Sequence, residues 1–598
     1  MAYRSLQQCI DDLEQNGQLI RIKEEVNPYL EMAAIHLRIH EAGGKAVLFE
    51  KVKGSKYAAV SNLFGTTARS NFIFRDTIGN VKKLIALRND PLKALKHPLQ
   101  SLSLAFSALK AFPKKVSSHE FEKIKISDLP QIQCWPKDGG PFVTLPIVYT
   151  EDPDQPGVMH SNLGMYRIQL SGNDYKLNDE VGLHYQIHRG IGVHQSKWNA
   201  LGKPMKVSVF IGGPPANSFA AVMPLPEGIS ELSFAGILGG RRFRYLYDKD
   251  GYLLSADADF VITGEVYPGE NKPEGPFGDH LGYYSLKHDF PVMHIKNVYA
   301  KKNGVWSFTV VGRPPQEDTA FGNMIHEMTG SAISKEIPGL KEVHAVDAAG
   351  VHPLLLAIGS ERYTPYYERK QPQEILTIAN HILGTGQLSL AKFLLIASKE
   401  DDPNLSTQDI PKFFKHILER IDLSRDVHFQ TKTTIDTLDY SGESLNSGSK
   451  VILAACGDKK RELLDQLPDG FSLPVGFQNP IFLDKGILII ESTDNSRQST
   501  AFSVDSRQWT MDLKGIPLIV ICDDAKFTAT NWNNFLWVTF TRCNPSHDIH
   551  GINERTENKH WACDNLIIDA RIKPHHAPVL EKDPEVERRV DEILKKYQ

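Results

Sequence analysis

The chain is predicted to be a multidomain α+β protein in three parts: an α/β region, a β-barrel or sandwich, and a second α/β region containing a duplicated βα element. Three observations predict this. At 598 residues the chain is too long for one hydrophobic core. From about Ile126 to about Arg313 it breaks into short β-rich runs parted by Gly and Pro, the texture of a barrel or sandwich. Further on, KFLLIASKEDD and GIPLIVICDD, with the residues that follow each, match at a constant offset of 122, pairing Asp401 with Asp523, Asp402 with Asp524, Arg420 with Arg542 and Asp426 with Asp548. Each copy reads as strand, acidic turn and helix, which predicts two βα units in one sheet with the paired acids capping the helices. A metal site at Asp523 and Asp524 is the sharper reading of those acids, and helix capping is the preferred one.

In chain order, Leu6, Ile10 and Leu13 share a helical face after Ser5 as cap, and Gly17 ends that helix. QLIRIKEEV, AVLFEKV and YAAVSNLFG predict strands, and the basic, leucine-rich stretch from Lys82 to Lys115 predicts helices. The central strands are VTLPIVYT, YRIQLSG, MKVSVFIGG, RFRYLYDKDGYLL, DFVITGEVYPGE, VMHIKNVYA and VWSFTVVG. EKDPEVERRVDEILKKYQ at the C-terminus predicts a charged amphipathic helix with Pro584 at its start, suited equally to an interface between protomers or a solvated tail.

Composition excludes several function classes. Lys plus Arg is 68 against 72 for Asp plus Glu, a net of −4 without long like-charge blocks, so no electrostatic footprint for nucleic acid is present. The six cysteines are scattered without a CxxC pair, which argues against a disulfide framework and a zinc knuckle and for a reducing compartment. MAYRSLQQCIDDLEQNG lacks a signal pattern and no apolar run approaches a membrane span, so a cytoplasmic protein with a small-molecule partner is expected.

EGPFGDHLGYY, Glu274 to Tyr284, sets two carboxylates five residues apart among glycines, a proline and aromatics. Irregular backbone is predicted there, and a turn with a solvated aspartate is its ordinary reading unless other residues converge on it. SNLGMYRIQL supplies Asn162 and Arg167, YQIHRGIG supplies His188 and Arg189, and AVMPLPEGISELSFAG supplies Glu231. Carboxamide, imidazole and carboxylate together suit Mn²⁺ or Mg²⁺ and leave coordination sites for phosphate oxygens. Singly, His188 is more often structural, and Asn162 next to a turn merely stabilises it.

In order along the chain, NLGMYR, HRG, MPLPEGISELSFAG, PEGPFGDHLGYY and VGRPP resemble the motifs of the UbiD-type decarboxylases that use prenylated FMN. The resemblance runs from Met1 to about Gly359 and resumes from about Gly515. It implies an N-terminal α/β domain over 1–125, a split β-barrel flavin domain over 126–325, a C-terminal α/β domain with the internal repeat over 326–560, and a tail and helix over 561–598. It also implies reversible, non-oxidative decarboxylation of an aromatic acid. Asn162, His188 and Glu231 would hold Mn²⁺ (or Mg²⁺) against the cofactor phosphate with K⁺ nearby, while Met165, Tyr166, Arg167, Arg189, Gly190, Met223 and Pro224 line the flavin. The family's catalytic signature falls on Arg167, Glu274 and Asp279. By the same resemblance Arg167 steers the substrate carboxylate and pairs with Glu274, and Asp279, its pKa raised by an apolar and aromatic setting, protonates the carbon that CO₂ leaves.

Aspartate at the third signature position resembles the quinone-pathway members. That points to a 3-polyprenyl-4-hydroxybenzoate or a hydroxynaphthoate as substrate, a flavin prenyltransferase as cofactor supplier, and peripheral membrane contact. A homo-oligomer, dimer or hexamer, is expected from the C-terminal helix. The stretch between about Gly359 and Gly515 departs from the pattern as extra sequence holding one copy of the repeat, and either Arg369 or Lys370 stands where the family has a cofactor-contacting lysine. Two rivals remain: a flavoprotein oxidoreductase, disfavoured because no GxGxxG follows a strand, and a non-enzymatic lipid-binding or assembly protein, disfavoured by the intact signature.

Overall fold

The computed structural model describes residues 2–89, 107–118, 120–186, 189–225, 230–366, 370–493 and 513–597. The chain forms two compact units, one of Met1–Thr329 with Val579–Gln598 and one of Gly330–Pro578.

The first unit opens with helix α1 (Leu6–Gln15), whose cap Ser5 accepts from the amide of Gln8, and which buries Leu6, Cys9, Ile10 and Leu13. Strands β1 (Leu19–Val26), β2 (Ala46–Val52) and β3 (Ala58–Ser61) follow, with helix α2 (Glu31–Glu41) between the first two. Sequence reasoning passed over α2 because Glu31 and His36 sit among its buried apolar residues and blur the stripe. The helix predicted from Lys82 begins earlier, at Ile78, and runs to Asn89; the rest of that prediction falls largely outside the described residues.

The central part is an open half-barrel of antiparallel strands. Its strands are β4 (Phe121–Ile124), β5 (Phe142–Val143), β6 (Ile147–Glu151), β7 (Ser161–Gly164), β8 (Ile168–Gln169), β9 (Glu180–Leu183), β10 (Met205–Ile211), β11 (Phe260–Glu274) and β14 (His288–Lys301). Among the described residues the order is β5-β8-β9-β14-β11-β10-β6-β7, with β4 added on β14. Three corrections follow. RFRYLYDKDGYLL forms no barrel strand: Arg244–Tyr247 and Leu253–Ser255 pair with each other and with Lys114–Lys115 in a separate three-stranded sheet. VWSFTVVG is no barrel strand: β15 (Val305–Ser307) leaves the barrel and pairs parallel with β3, closing the N-terminal sheet in the order β1-β2-β3-β15. Glu274 does not lie on irregular backbone but ends the 15-residue β11, and only then do β12 (Phe277–Gly278) and β13 (Tyr284–Ser285) form a small hairpin.

Strand and helix residues of these parts share one core, which joins Val47 and Phe49, Ile35 and Leu37, Val207 and Ile262, and Val590. The last of these belongs to helix α9 (Pro584–Leu594), capped by Asp583. Arg38 of α2 binds Glu587 at 2.5 Å and Asp591 at 2.8 Å. The apolar face of α9 is therefore spent on its own chain, neither solvated nor left over for a second protomer, so the helix gives no support to an oligomer. Burying Val590 and Ile593 contributes about 1.5–3 kcal/mol each.

The second unit shows the repeat as two sheets, not the single sheet expected. One runs β16 (Leu340–Ala345), β17 (Leu354–Gly359), β18 (Phe393–Ser398), β20 (Gly448–Ala455), β19 (Val427–Thr433); the other runs β21 (Phe477–Asp484), β22 (Ile487–Ser492), β23 (Leu518–Cys522), β25 (Asn565–Asp569), β24 (Ile549–Ile552). Position by position the pairing senses agree: antiparallel, parallel, parallel, antiparallel. Helix α6 (Ile410–Arg420) corresponds to α8 (Trp532–Thr541) at the same offset of 122.

The paired acids explain why the match survives in sequence. Asp401 accepts from the amide of Gly457 and Asp523 from that of Ile572, each at 2.9 Å. Asp426 accepts from the amide of Asp422 at 3.0 Å, and Asp548 from that of the matching Asn544 at 2.6 Å. Capping is only half as expected. Asp524 caps α7 (Ala525–Ala529) through the amide of Phe527, but Asp402 makes a local turn with Asn404 and leaves the cap of α6 to Asp409. Replacing Asp524 with Ala is expected to lower stability by about 1 kcal/mol in thermal or urea unfolding while leaving turnover per folded molecule unchanged.

Candidate active site

The site is assembled around one buried cation. Arg167 lies between β7 and β8, where its guanidinium reaches the end of β11. Nε donates to Oε1 of Glu274 at 2.8 Å and Nη2 to Oε2 at 2.7 Å, a bidentate pair. Nη1 donates to Oδ2 of Asp279 at 2.5 Å, and Nη2 also reaches the Ser285 hydroxyl at 3.0 Å. The guanidinium carbon stands 4.6 Å from the centre of the Phe277 ring. Glu274 is fully buried and Asp279 nearly so. The three signature residues thus converge on one another.

Burial alone would push the Asp279 carboxyl up, as expected from sequence. Here that expectation is corrected: the hydrogen bond from His280 and the charge of Arg167 outweigh desolvation and hold Asp279 below the ordinary carboxylate range. Its Oδ1 accepts from the His280 amide at 2.7 Å and lies 2.9 Å from Nδ1 of the His280 ring. Asp279 is a carboxylate in the resting site.

Residues that sequence reasoning missed hold this arrangement. Asp138, from WPKDGGP, accepts from the Gly278 amide at 2.7 Å and from the amides of Trp135 and Cys134 at 2.9 and 3.2 Å. Burial pushes its carboxyl up to about 7 against those bonds. Gln169 accepts from the Gly275 amide and donates to the Gly139 carbonyl, both at 2.9 Å. Trp135 packs so closely on Gly278 that a Cβ there would come within 2.0 Å of the indole, so glycine is required. The signal for Asp138 was present, an acid in a Gly/Pro-rich turn, but nothing in its spacing linked it to a loop 140 residues on.

A second cluster lies on the strand and helices of the barrel. Glu231 begins helix α5 (Glu231–Leu238) and accepts from the Leu163 amide at 3.3 Å, next to Asn162 on β7. Burial pushes its carboxyl up to about 7. Asn162 accepts from the Tyr166 hydroxyl at 3.3 Å, while its buried Nδ2 has no partner among the described residues. Gly190 begins helix α3 (Gly190–Ala200), and a Cβ there would stand 2.4 Å from Asn162 Oδ1. The Met165 amide donates to Ala221, at the end of helix α4 (Pro215–Val222), and buried Met223 caps that helix with Pro224 exposed beyond it. Arg189 donates to Gln186 at 2.8 Å. His188 lies outside the described residues, as does Arg369; Lys370 donates to the Thr364 carbonyl at 3.4 Å within the second unit. An orphaned amide donor beside a carboxylate that burial discourages from ionising fits an anionic group bound together with a cation.

The six cysteines are all buried and unpaired, and no described helix is long and apolar enough to cross a membrane. No group of three or more His, Cys, Asp or Glu among the described residues is placed to hold a metal ion, and Asp523 pairs instead with Arg542 at 3.2 Å.

Comparison with known proteins agrees with this architecture. Residues 10–88 match the 3-octaprenyl-4-hydroxybenzoate carboxy-lyase N-terminal domain, 108–314 the Rift-related domain and 319–455 the C-terminal domain of the UbiD family. The last match spans Gly359 and the first copy of the repeat and ends at residue 455, before the second copy. A Chlamydia pneumoniae protein named as part of a 4-hydroxybenzoate decarboxylase is 36% identical over 97% of this chain and 96% of its own. An uncharacterized Archaeoglobus fulgidus protein is 33% identical over 75% of this chain and 91% of its own. Among solved structures, vanillic acid decarboxylase of Sedimentibacter hydroxybenzoicus in closed form superposes with a TM-score of 0.64 at 23% identity, covering 80% of this chain and 97% of the other. HmfF of Pelotomaculum thermopropionicum in complex with FMN gives 0.58 at 21% identity, covering 76% and 94%. With three domain matches spanning most of its length, and relatives above 30% identity along nearly all of it, the chain belongs to the UbiD family of carboxy-lyases.

Proposed function

We propose that this protein decarboxylates a phenolic aromatic acid with prenylated FMN as cofactor, and that a 3-polyprenyl-4-hydroxybenzoate or a hydroxynaphthoate on the way to a quinone is its substrate class. The observation that carries the reading is the buried Arg167 held at once by Glu274 and Asp279. The UbiD membership, the 4-hydroxybenzoate name of the Chlamydia relative and the FMN and prFMN complexes of HmfF support it. Prenylated FMN, when bound, supplies the electron sink that the carbanion left by CO₂ loss requires.

The protein's own residues do the rest. Arg167 offers its guanidinium to the substrate carboxylate, and Glu274, by binding two of its nitrogens, fixes the plane in which it does so. Arrival of that carboxylate competes with Asp279 for Nη1, weakening the interaction that keeps Asp279 ionised. Asp279 is then able to hold a proton and to deliver it to the ring carbon. Asn162 and Glu231, with His188 as the third member, would hold Mn²⁺ or Mg²⁺ against the cofactor phosphate, K⁺ would sit nearby, and Met165, Tyr166, Arg189, Gly190, Met223 and Pro224 would line the flavin. The supplier of the cofactor would be a flavin prenyltransferase.

Asp279→Asn keeps size and much of the hydrogen bonding but removes the transferable proton. Flavin content is expected to survive while turnover falls by roughly 10²-fold or more; a parental rate with 4-hydroxybenzoate or vanillate would make EGPFGDHLGYY a turn and nothing more. The pH dependence of folding has a definite sign here. Asp279 is held below its unfolded value of about 3.9, so its contribution is full above that pH and is lost as pH falls through the lower folded value; Asp279→Asn should flatten the acid limb of the unfolding curve.

Glu231 has the opposite sign. A folded value of about 7 means that the metal-free fold loses stability as pH rises from about 4 to 7. Metal-free Glu231→Gln should therefore be more stable than the metal-free parent at pH 8, by about 2 kcal/mol after discounting for partial hydration. Loaded in parallel, the variant should retain less Mn²⁺ and less flavin together. Full flavin in a metal-free variant would separate the two.

A further inference from the structure

Each turnover of the proposed reaction consumes a proton. The bond to the carboxylate breaks, CO₂ leaves, its electron pair stays on the ring carbon, and one proton from solvent must reach that carbon. Asp279 is 6% exposed and ionised at rest, so it has no proton of its own to give at neutral pH. Its neighbours decide where one comes from. Oδ2 is taken by Arg167, whose guanidinium does not give up a proton in proteins. Oδ1 accepts the backbone amide of His280, which is no acid, and faces Nδ1 of the His280 ring at 2.9 Å. Among the described residues, the His280 imidazole is thus the one titratable side chain able to protonate Asp279 directly.

We propose that His280 relays the solvent proton to Asp279. In imidazolium form it passes the Nδ1 proton to Oδ1; the carboxyl so formed hands a proton to the ring carbon, and the imidazole recovers its own from water. The ring's position fits both ends of that path, since its side chain is 17% exposed against 8% for Asp279. The turn that carries it is pinned. The Asp279 amide donates to the Tyr283 carbonyl at 3.0 Å, Gly282 donates back to Asp279 at 2.9 Å, and Leu580 from the C-terminal segment donates to Gly282 at 3.2 Å. Tyr283 also bridges to Val579. The imidazole is presented from a fixed hairpin, not from a loose loop. This relay rests on the decarboxylase reading and gives it a supply of protons that Asp279 alone lacks.

The test uses flavin-loaded protein, His280→Gln and His280→Asn, both of which keep an amide donor for Asp279 without a transferable proton; should one misfold, the other carries the experiment. Decarboxylation of 4-hydroxybenzoate, 3,4-dihydroxybenzoate and vanillate is followed beside deuterium exchange into phenol, catechol and guaiacol, which runs the protonation backwards. Both rates are expected to fall together by roughly 10- to 100-fold in kcat, with KM, flavin absorbance and melting temperature unchanged, and added imidazole should restore part of the loss. A folded, flavin-loaded variant with parental kcat and exchange overturns the relay alone. So does a loss that appears in KM and is untouched by imidazole, which makes His280 a packing residue. If the parent neither decarboxylates nor exchanges with these compounds, with a 3-prenyl-4-hydroxybenzoate or with a hydroxynaphthoate, the decarboxylase reading falls and the relay with it.

Discussion

The site depends on one buried cation shared by two carboxylates. Arg167 cannot lose its charge, and its side chain is largely buried, so the fold supplies anions. Glu274 does so from the end of β11 and Asp279 from within the short excursion that leads to β14. Removing one partner of a buried pair leaves an uncompensated charge and costs about 3–5 kcal/mol, which makes the cluster a structural constraint as much as a chemical one. The count of charges has a further consequence. One guanidinium facing two carboxylates is net negative, and a third acid, Asp138, lies close enough to feel Arg167 yet is still pushed up to about 7. An anionic substrate entering such a place is repelled unless a proton comes with it. On the function proposed above, substrate binding and protonation of Asp279 would be coupled by electrostatics before any bond is broken.

The backbone around the cluster is arranged to make that coupling repeatable. Asp138, from the turn before β5, and Gln169, on β8, hold the amides of Gly278 and Gly275, which bracket the turn from β11 into β12. Gly139 and Gly275 approach so closely that a Cβ on the former would stand 2.2 Å from the carbonyl of the latter. Glycines that look like loop filler are positions where two backbones touch. The C-terminal segment completes the hold from the opposite side through Val579 and Leu580, so the first and last parts of the chain serve one hairpin.

Much of this was legible in the sequence, for identifiable reasons. Helical spacing located α1, whose apolar positions bury one face, and β-rich runs parted by Gly and Pro located β1, β2, β10 and the long barrel strands. The signature residues were legible as motif, though not their arrangement. What escaped was long-range pairing. The residues of β15 read as one more barrel strand because local texture does not say which sheet a strand joins. The repeat was visible through Asp401, Asp426 and their partners, which hold backbone amides in each copy, but whether two copies share a sheet is decided by edge pairing that no residue pattern records. The state of Asp279 escaped for a different reason. An aromatic, apolar neighbourhood predicts a raised pKa, and only the distances to Arg167 and His280 reverse the sign.

The two clusters of the first unit differ in how complete they are. Around Arg167 nearly every donor and acceptor has a protein partner, and the network closes on itself. Around Asn162 it does not: among the described residues an amide donor is buried without an acceptor, and burial pushes the Glu231 carboxyl up. Each such group costs about 1–3 kcal/mol while unmet. A bound group that meets them regains that cost and stabilises the fold further by the logarithm of its concentration over its dissociation constant. Unmet groups of this kind, held by backbone elements as regular as β7 and α5, set the Asn162 cluster apart from the closed network around Arg167.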